Sequence, residues 1–323
     1  ADLAAMAIGA IGVVIPDGAR QAQTPSYLDN ARPKVLFVHG EEWARRLPGD
    51  IPHCQLVAYD AAAKAVLGDR ALTWEAFLAS GKGISKEEAK AARLRVRSED
   101  PAFIIYTSGT TGRPKAITHS HGTFERLAHQ MRDEYGLEPG EVVFAFVPLC
   151  HMPARLGMLL AVTEPFEPWM SPDLDTLAAQ LQEVRPTFLP GVPRMFEKIR
   201  SVVLAKSIGA PGPLRALFQW SIAMGAGHHI EGRTDFVARL GYGMADALLL
   251  GKVRGALGGR VRRALCGGAR VDGGVLNFFA SLGINVRETY GMTEVGVIAI
   301  QPPRPEEFGH VGAPAKGVEI KLG

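Results

Sequence analysis

Short apolar runs alternate with longer amphipathic stretches along most of this chain, and no other feature constrains its fold as strongly. An apolar run bounded by turn residues is typical of a buried strand, and apolar residues at helical spacing are typical of a helix that covers a sheet. The alternation therefore predicts an α/β architecture with mainly parallel sheets flanked by helices, in which ligand loops follow the carboxyl ends of the strands. The predicted strands lie at 12–16, 34–38, 54–58, 102–106, 142–147, 187–189, 265–268 and 284–286.

Several predicted helices carry recognisable end signals. Ser85 and Glu88 form a capping box at the start of one helix, because each side chain can accept a hydrogen bond from a backbone N–H of the other residue. The triplet 171–173, with a proline at its centre, is expected to cap a helix that continues through Val184. Apolar residues at helical spacing predict another helix over 121–135.

The pattern changes after residue 208. A turn rich in glycine and proline precedes two long helical stretches, 214–229 and 236–257. We therefore expect two parts. Residues 1–208 would form a first α/β part that carries a phosphate-binding loop, and residues 209–323 would form a helical insertion and a second α/β part.

Composition and charge exclude several classes of protein. With 323 residues, 47% apolar and 21% charged, the chain can bury a large core and is expected to be globular. A net charge of +3 is too small to suggest nucleic acid as the main partner. The three cysteines, Cys54, Cys150 and Cys266, are far apart and lack CxxC spacing, which disfavours a zinc site or a disulfide framework and favours a reducing, cytoplasmic compartment.

The apolar start of the chain, from Leu3 to Pro16, raises the question of a signal or membrane segment. The run is shorter than the roughly 18 residues of a membrane span, glycines interrupt it, and neither Lys nor Arg precedes it. A buried helix followed by a strand is the better prediction.

The predicted strand at 102–106 leads directly into a loop rich in hydroxyl groups and glycine. Glycines let a backbone turn sharply and bring its N–H groups close to an anion, hydroxyls add further donors, and Lys115 supplies a positive charge. We therefore predict a phosphate-binding loop, with a turn that binds no ligand as the alternative. A nucleotide-triphosphatase loop would end in Gly-Lys-Ser/Thr and a dinucleotide site would carry G-x-G-x-x-G, and both patterns are missing from this segment. The loop reads Thr107-Ser108-Gly109-Thr110-Thr111-Gly112-Arg113-Pro114-Lys115.

Two later segments carry groups that would suit a nucleotide. Thr293 and Glu294 place a hydroxyl beside a carboxylate near a predicted strand end, and Mg²⁺ bound to phosphate takes one or two carboxylates. Tyr290 offers a flat face to a base. Another predicted strand ends in Gly267 and Gly268, which permits close backbone approach to a planar ligand. Ordinary turns are the alternative at both places.

Together these segments resemble the adenylate-forming, or AMP-binding, superfamily, which includes acyl-CoA synthetases, luciferases and peptide-synthetase adenylation domains. The family loop reads roughly T-S-G-T-T-G-x-P-K-G, and this chain matches it through Lys115 but has Ala116 in place of the last glycine. His121 falls where the family has a histidine, and we expect it to support the loop rather than act in catalysis. The implied fold is the large N-terminal domain of an adenylate-forming enzyme.

The resemblance also implies roles for individual residues. Lys115, Thr293 and Glu294 would be catalytic. His151 would lie beside the acyl substrate, with a structural role as the alternative, and Thr107 and Glu294 would bind Mg²⁺. The residues implied in nucleotide binding are Thr107, Ser108, Gly109, Thr110, Thr111, Gly112 and Lys115 at the phosphates, Gly267, Gly268 and Ala269 at the adenine pocket, Tyr290 stacked on adenine, and Gly291, Met292 and Thr293 beside it, with Thr293 at the α-phosphate.

Three further segments, 185–198, 252–260 and 309–321, resemble long-chain acyl-CoA synthetases in particular. The implied activity is the ATP-dependent conversion of a fatty acid to an acyl-adenylate and then to its CoA thioester, with ATP, Mg²⁺ and CoA as cofactor and cosubstrates. A short-chain or aryl acid–CoA ligase, a luciferase-like oxygenase and a non-catalytic adenylate-binding module are the alternatives. In the family the chain continues past the position of Gly323 into a small C-terminal domain, so this sequence is expected to be a piece of a larger synthetase.

A run of cations closes the helical insertion. A solvated basic face is the first interpretation, and a surface for a phosphate-rich ligand or anionic lipid is the alternative, which would give the protein a peripheral membrane contact. The cations are Lys252, Arg254, Arg260, Arg262 and Arg263.

Overall fold

The computed structural model describes residues 1–16, 18–19, 21–108, 114–145, 147–171, 176–302 and 308–321. These residues form an α/β structure with mainly parallel sheets, as the alternating pattern predicts. They divide into two compact units, Ala1–Phe124 and Glu125–Gly323. The boundary predicted after residue 208 falls within the second unit, so that division of the chain stays a prediction.

The first unit contains two small sheets within the described ranges. In one, β1 runs parallel to β5 and β5 pairs antiparallel with β6; in the other, β2, β3 and β4 are parallel. The strands are β1 (Gly12–Val13), β2 (Val35–Val38), β3 (Gln55–Ala58), β4 (Ala71–Thr73), β5 (Pro101–Ser108) and β6 (Pro114–Ser120). The helices are α1 (Asp2–Ala7), α2 (Thr24–Ala31), α3 (Glu41–Arg46), α4 (Ala61–Leu67), α5 (Trp74–Ser80) and α6 (Lys86–Leu94), with 3₁₀ turns at Gln21–Gln23 and Gly68–Arg70.

The capping box predicted for α6 is present. The Glu88 N–H donates to Ser85 Oγ at 3.1 Å, and the Ser85 N–H donates to Glu88 Oε2 at 2.8 Å. The hydrogen bonds that the Ser85 N–H and the Ser85 hydroxyl donate to Glu88 Oε2 hold the pKa of the Glu88 carboxyl below its usual value. At the chain start, α1 and β1 form as predicted, although α1 is less buried than expected: Met6 is buried, while most of its other side chains are accessible to solvent.

The second unit is built on a larger sheet with the order β13-β12-β11-β10-β9-β7-β8. The five strands from β11 to β8 in this order run parallel over the described residues, and β12 and β13 add antiparallel pairs at one edge. The strands are β7 (Val142–Ala145), β8 (Glu167–Met170), β9 (Phe188–Gly191), β10 (Arg263–Gly267), β11 (Asn285–Met292), β12 (Gly296–Ile300) and β13 (Ala313–Pro314). The helices are α7 (His121–Tyr135), whose first four residues belong to the first unit, α8 (Met152–Thr163), α9 (Leu177–Val184), α10 (Pro193–Ile208), α11 (Gly212–His229), α12 (Phe236–Ala245), a π-helical turn (Asp246–Leu250), α13 (Gly251–Ala256) and α14 (Gly273–Ser281).

Several boundaries differ from the sequence-based expectation. The helix expected from 171–173 begins at Leu177, with Thr176 as its N-cap, and residues 172–175 lie outside the described ranges. The strand predicted at 284–286 continues to Met292, because residues 289–292 pair with the antiparallel strand β12. Among the described residues, no helix is long and apolar enough to cross a membrane.

The core of the second unit lies where α14 packs against the parallel strands and against α10 and α11. Leu276 and Phe279 of α14 are fully buried, and the Phe279 ring meets the Phe196 ring edge to face at 5.3 Å. The fully buried Leu250 belongs to the same cluster, so the helical insertion is packed into this core.

We predict that Leu276→Ala lowers the free energy of unfolding by about 2–5 kcal/mol, because the lost side chain leaves a cavity in this core. Leu214→Ala is the matched control in the same unit, since Leu214 is mostly exposed and its truncation is expected to change stability by less than about 0.5 kcal/mol. Urea unfolding followed by circular dichroism measures both. Equal losses for the two variants would contradict the assignment of the core.

Candidate functional site

The residues on each side of the predicted phosphate loop form an antiparallel hairpin in the first unit. Thr107 of β5 is the register partner of Lys115 of β6, and Ser108 is the partner of Pro114. Lys115 is exposed and Thr107 is half-buried. The remaining predicted loop residues, Gly109, Thr110, Thr111 and Gly112, lie outside the described ranges.

Aromatic contacts fix both strands of this hairpin. The Phe103 ring of β5 stacks on His119 of β6 at 5.1 Å and meets Phe124 edge to face at 4.6 Å. Tyr106 donates a hydrogen bond to Asn30 Oδ1 at 2.7 Å and packs edge to face on Tyr27. Thr107 follows these anchored residues directly, so the strand holds its backbone in a defined position.

In the second unit, the predicted adenine segment and the predicted aromatic residue lie on adjacent strands. Gly267, at the end of β10, is the register partner of Thr289, the residue before Tyr290 on β11. A side chain at Gly267 would place its Cβ 2.7 Å from Thr289 Cγ2, so a larger residue fits there only if Thr289 shifts. Gly268 adopts φ +87°, beside open space, and Tyr290 is 47% exposed. The segment that we call the Gly267 strip, with Gly267 half-buried and Gly268 exposed, therefore follows β10 next to the strand that carries an accessible aromatic ring.

Thr293 and Glu294 occupy the tight turn between β11 and β12. The register of the two strands shifts between Tyr290 and Gly291, and such a bulge turns the side chains that follow it. Glu294 is exposed and Thr293 is half-buried. Because β11 runs on to Met292, beyond the level at which β10 ends, the turn that carries Glu294 lies past the end of β10.

His151 lies at the same carboxyl edge, farther along the sheet. It is the N-cap residue of α8, in the segment that follows β7. Partial burial lowers the pKa of its imidazole. In the sheet, β9 separates β7, the strand that precedes His151, from β10, the strand that ends at Gly267.

Sequence reasoning missed the role of Glu288, a buried carboxylate at the centre of the second-unit site. Its Oε1 accepts from the Val271 N–H and its Oε2 from the Gly309 N–H, both at 3.3 Å, while its own N–H donates to Gln301 Oε1 at 3.1 Å. Glu288 thereby ties the chain just after the Gly267 strip to β11. The sequence did hold one indication of its burial. Side chains two residues apart on a strand point to the same face, and Glu288 follows the buried Val286 by two residues.

Cys266 is the register partner of Glu288, and its thiol is expected to be unreactive. Burial, together with the negative charges of Glu288 and Glu197, raises the pKa of the Cys266 thiol to about 12. The thiol is therefore protonated at neutral pH and is a poor nucleophile.

The structure brings predicted site residues together within each unit: Thr107 with Lys115 in the first, and the Gly267 strip with Tyr290 and the Glu294 turn in the second. Within the described ranges, no group of three or more His, Cys, Asp or Glu residues could hold a metal ion. A Mg²⁺ ion at Glu294 would therefore take most of its ligands from a bound phosphate and from water, which is how Mg²⁺ is commonly bound.

The whole chain, residues 1–323, matches the AMP-binding enzyme family, and it belongs to that family. It is similar to the long-chain-fatty-acid–CoA ligase FadD15 of Mycobacterium bovis, at 30% identity over 99% of this chain and 54% of the relative. The long-chain-fatty-acid–CoA ligase ACSBG2 of Xenopus laevis is 27% identical over 100% of this chain and 46% of the relative. The chain is thus an adenylate-forming enzyme sequence related to long-chain fatty acid–CoA ligases, and it spans about half the length of these relatives.

Solved structures agree in fold. VinN in complex with L-aspartate superposes with a TM-score of 0.64 at 20% identity, over 96% of this chain and 64% of that one. The N-terminal domain of FACL13 from Mycobacterium tuberculosis superposes with a TM-score of 0.60 at 16% identity, over 97% of this chain and 65% of that one. These similarities show the α/β fold of an adenylate-forming N-terminal domain.

We predict that Gly267→Ala destabilises the protein by about 1–3 kcal/mol, because its new methyl group would overlap Thr289 Cγ2. Adding Thr289→Ser should recover most of this loss, since serine removes Cγ2 and keeps the hydroxyl that donates to the Ala299 carbonyl. Urea unfolding of the two single variants and the double variant measures the coupling. Simple additivity of the two changes would contradict the close approach of these strands.

Proposed function

We propose that this protein is part of an ATP-dependent, AMP-forming acid–CoA ligase that acts on a fatty acid. The observation that carries the proposal is the accessible Tyr290 ring on the strand next to the exposed Gly268 backbone, at the carboxyl edge of a parallel sheet. A planar base can stack on such a ring while its polar edge meets backbone groups, and this edge is where α/β sheets commonly bind ligands.

The roles proposed for the other site residues rest on the charge of their side chains and on their places in the chain. Lys115, with the hydroxyl and glycine loop 107–112, would hold the β- and γ-phosphates of ATP, and Thr293 would contact the α-phosphate. Thr107 and Glu294 would hold Mg²⁺, which supplies positive charge against the phosphate oxygens. His151 would lie beside the acid, because it follows a strand end two strands away from the adenine strip.

The reaction proceeds in two balanced steps. A carboxylate oxygen of the fatty acid attacks the α-phosphorus of ATP, the bond to the bridging oxygen of the β-phosphate breaks, and pyrophosphate leaves. The sulfur of CoA then attacks the acyl carbon, its proton is released, and AMP leaves with the electron pair of the acyl–oxygen bond. Alignment and charge neutralisation by the protein suffice for both steps. The protonated Cys266 thiol argues against a covalent intermediate on this buried cysteine.

The choice of a fatty acid is supported by the relatives, which carry the names of long-chain fatty acid–CoA ligases. Long-chain acids partition into membranes, because burying each CH₂ group is favourable by about 0.8 kcal/mol. A cytoplasmic protein with a peripheral membrane contact is therefore part of the proposal.

The deciding experiment is a ligase assay on the full-length gene product with ATP, CoA and acids of graded chain length. AMP and thioester formation that rises with chain length supports the proposal. A preference for short or aromatic acids would replace it with the alternative ligase, and light emission would indicate a luciferase-like oxygenase. Calorimetric binding of an acyl-adenylate analogue without turnover would indicate a non-catalytic binding module.

We predict that Glu294→Gln reduces the rate of acid-dependent ATP–pyrophosphate exchange by at least about 100-fold, because the amide cannot neutralise a metal ion at the phosphates. The exposed position of Glu294 means that the urea unfolding midpoint should stay unchanged. Glu183→Gln, at an exposed position on α9, is the control with the same change in charge. Undiminished exchange in the Glu294 variant would refute the assignment of this carboxylate.

A further inference from the structure

Helix α12 and its π-helical continuation present a row of large apolar side chains to solvent. The row consists of residues spaced four apart, each between 45% and 81% exposed: Phe236, Leu240, Met244 and Leu248. Side chains at this spacing lie along one side of a helix, and we call this row the outer ridge. A surface helix normally turns polar residues outward, so an exposed apolar ridge of this length indicates an interaction surface.

The opposite side of the same helix is packed into the second unit. Ala245 and Leu250 are fully buried in its core. Tyr242 stacks on His228 with ring centroids 4.1 Å apart, and its hydroxyl lies 3.1 Å from His229 Nε2. Because these contacts fix the rotation of the helix, the outer ridge cannot turn inward without breaking them.

Two small residues form a groove beside the outer ridge. Gly243 and Ala247 are exposed, and each immediately precedes a ridge residue; we call them the small-residue groove. Among the described residues, no atom lies within 4 Å of the position that a Cβ on Gly243 would take. Glycine weakens a helix interior, and packing within the described part of the chain gives no reason for it here. Gly241 differs, because its Cβ would lie 2.9 Å from Met224 Sδ. The exposed glycine therefore indicates that a partner approaches this backbone closely.

The outer ridge and the small-residue groove suit each other in shape. When helices pack, a ridge formed by side chains four residues apart enters the groove beside the equivalent ridge of the neighbour, at a crossing angle of about −50°. A helix that carries both features can pack in this way on an identical helix, because a two-fold axis presents the ridge of each copy to the groove of the other. Small groove residues favour the lower end of the usual separation of about 8–10 Å between helix axes.

The charges at the two ends of this helical segment favour one direction of pairing. Asp235, the N-cap residue of α12, is exposed at one end, and the exposed Lys252 follows the last ridge residue by four positions at the other. An antiparallel pair brings the Asp235 end of each copy toward the Lys252 end of the other, whereas a parallel pair brings like charges together. Glu231 and Arg233, near the start of the helix, pair with each other at 2.6 Å and leave this balance unchanged.

We propose that the outer ridge and the small-residue groove form the interface of a homodimer, in which the α12 segments of two copies cross antiparallel about a two-fold axis. The ridge of each copy packs into the groove of the other beside Gly243, and the Lys252 end of each lies toward the Asp235 end of its partner. The interface contains none of the candidate nucleotide-site residues, so the proposal does not depend on the proposed function.

The oligomeric state of the full-length gene product tests this interface without ATP, acid or CoA. Sedimentation velocity over a range of concentrations is expected to show a reversible dimer. Gly243→Gln should raise its dissociation constant at least about tenfold, because the new side chain fills the groove. The urea unfolding midpoint should stay unchanged or rise, since glycine is the weaker helix former. The control is Ala205→Gln, at an exposed position on α10, which should dissociate as the parent does.

A second pair of variants tests the outer ridge. Leu240→Ser with Met244→Ser should also raise the dissociation constant at least about tenfold, because less apolar surface is buried between the copies. Val202→Ser with Ile208→Ser, two positions of similar exposure on α10, should leave it unchanged.

Cross-linking with a short bis-maleimide tests the direction of pairing. In the antiparallel arrangement a Phe236→Cys copy links to a Leu248→Cys copy when the two variants are mixed, and each variant alone links poorly. The half-buried Cys54 is common to every variant, so Val202→Cys gives the background. A gene product that stays monomeric at every concentration overturns the proposal, because another part of the same chain or a different partner then covers the ridge. Equal dissociation of test and control variants, or linkage of Phe236→Cys mainly to itself, also overturns it.

Discussion

The Glu288 carboxylate accepts hydrogen bonds from the N–H groups of Val271 and Gly309, and it does so while almost completely buried. A buried carboxylate without such partners would be strongly unfavourable, so these bonds fix two segments of chain to β11 at once. One of them follows the Gly267 strip directly. The parallel register of β10 and β11 sets Gly267 against Thr289. It is therefore stabilised both by the backbone pairing of the two strands and by the hydrogen bond from Val271, in the segment that follows β10, to Glu288. The position of Tyr290 beside that strip depends on this arrangement.

Local patterns predicted much of the fold because they reflect local physics. The capping box at Ser85 and Glu88 forms as expected, and the apolar residues of α7, including Phe124 and Tyr135, are buried as their helical spacing indicates. The extension of β11 to Met292 could not be predicted in this way, because it comes from pairing with β12 and from a bulge at Tyr290. The cap expected at 171–173 stays a prediction, because residues 172–175 lie outside the described ranges and α9 is described from Leu177.

The candidate site likewise has features that local sequence predicts and features that depend on the pairing of distant segments. The chemistry of its residues was visible in the sequence, where Tyr290, Thr293 and Glu294 stand together after an apolar run. Their arrangement was not visible, since it needs the register with β10 and the steric fit between Gly267 and Thr289. Glu288 escaped notice for a related reason. A carboxylate in a strand suggests a solvent-facing position until the N–H groups that it binds, from segments distant in sequence, are known.

The carboxyl ends and the amino ends of β10 and β11 carry different kinds of residues, and α14 connects the carboxyl end of β10 to the amino end of β11. At the carboxyl ends are the backbone strip, Tyr290 and the capped start of α14. At the amino ends, Arg262 precedes β10, and together with Leu282 and Gly283, which follow α14, it lines a basic cleft. Because α14 is anchored by fully buried side chains, its two ends keep a fixed separation. The cleft at the amino ends of these strands and the proposed nucleotide site at their carboxyl ends are therefore separated by the length of α14.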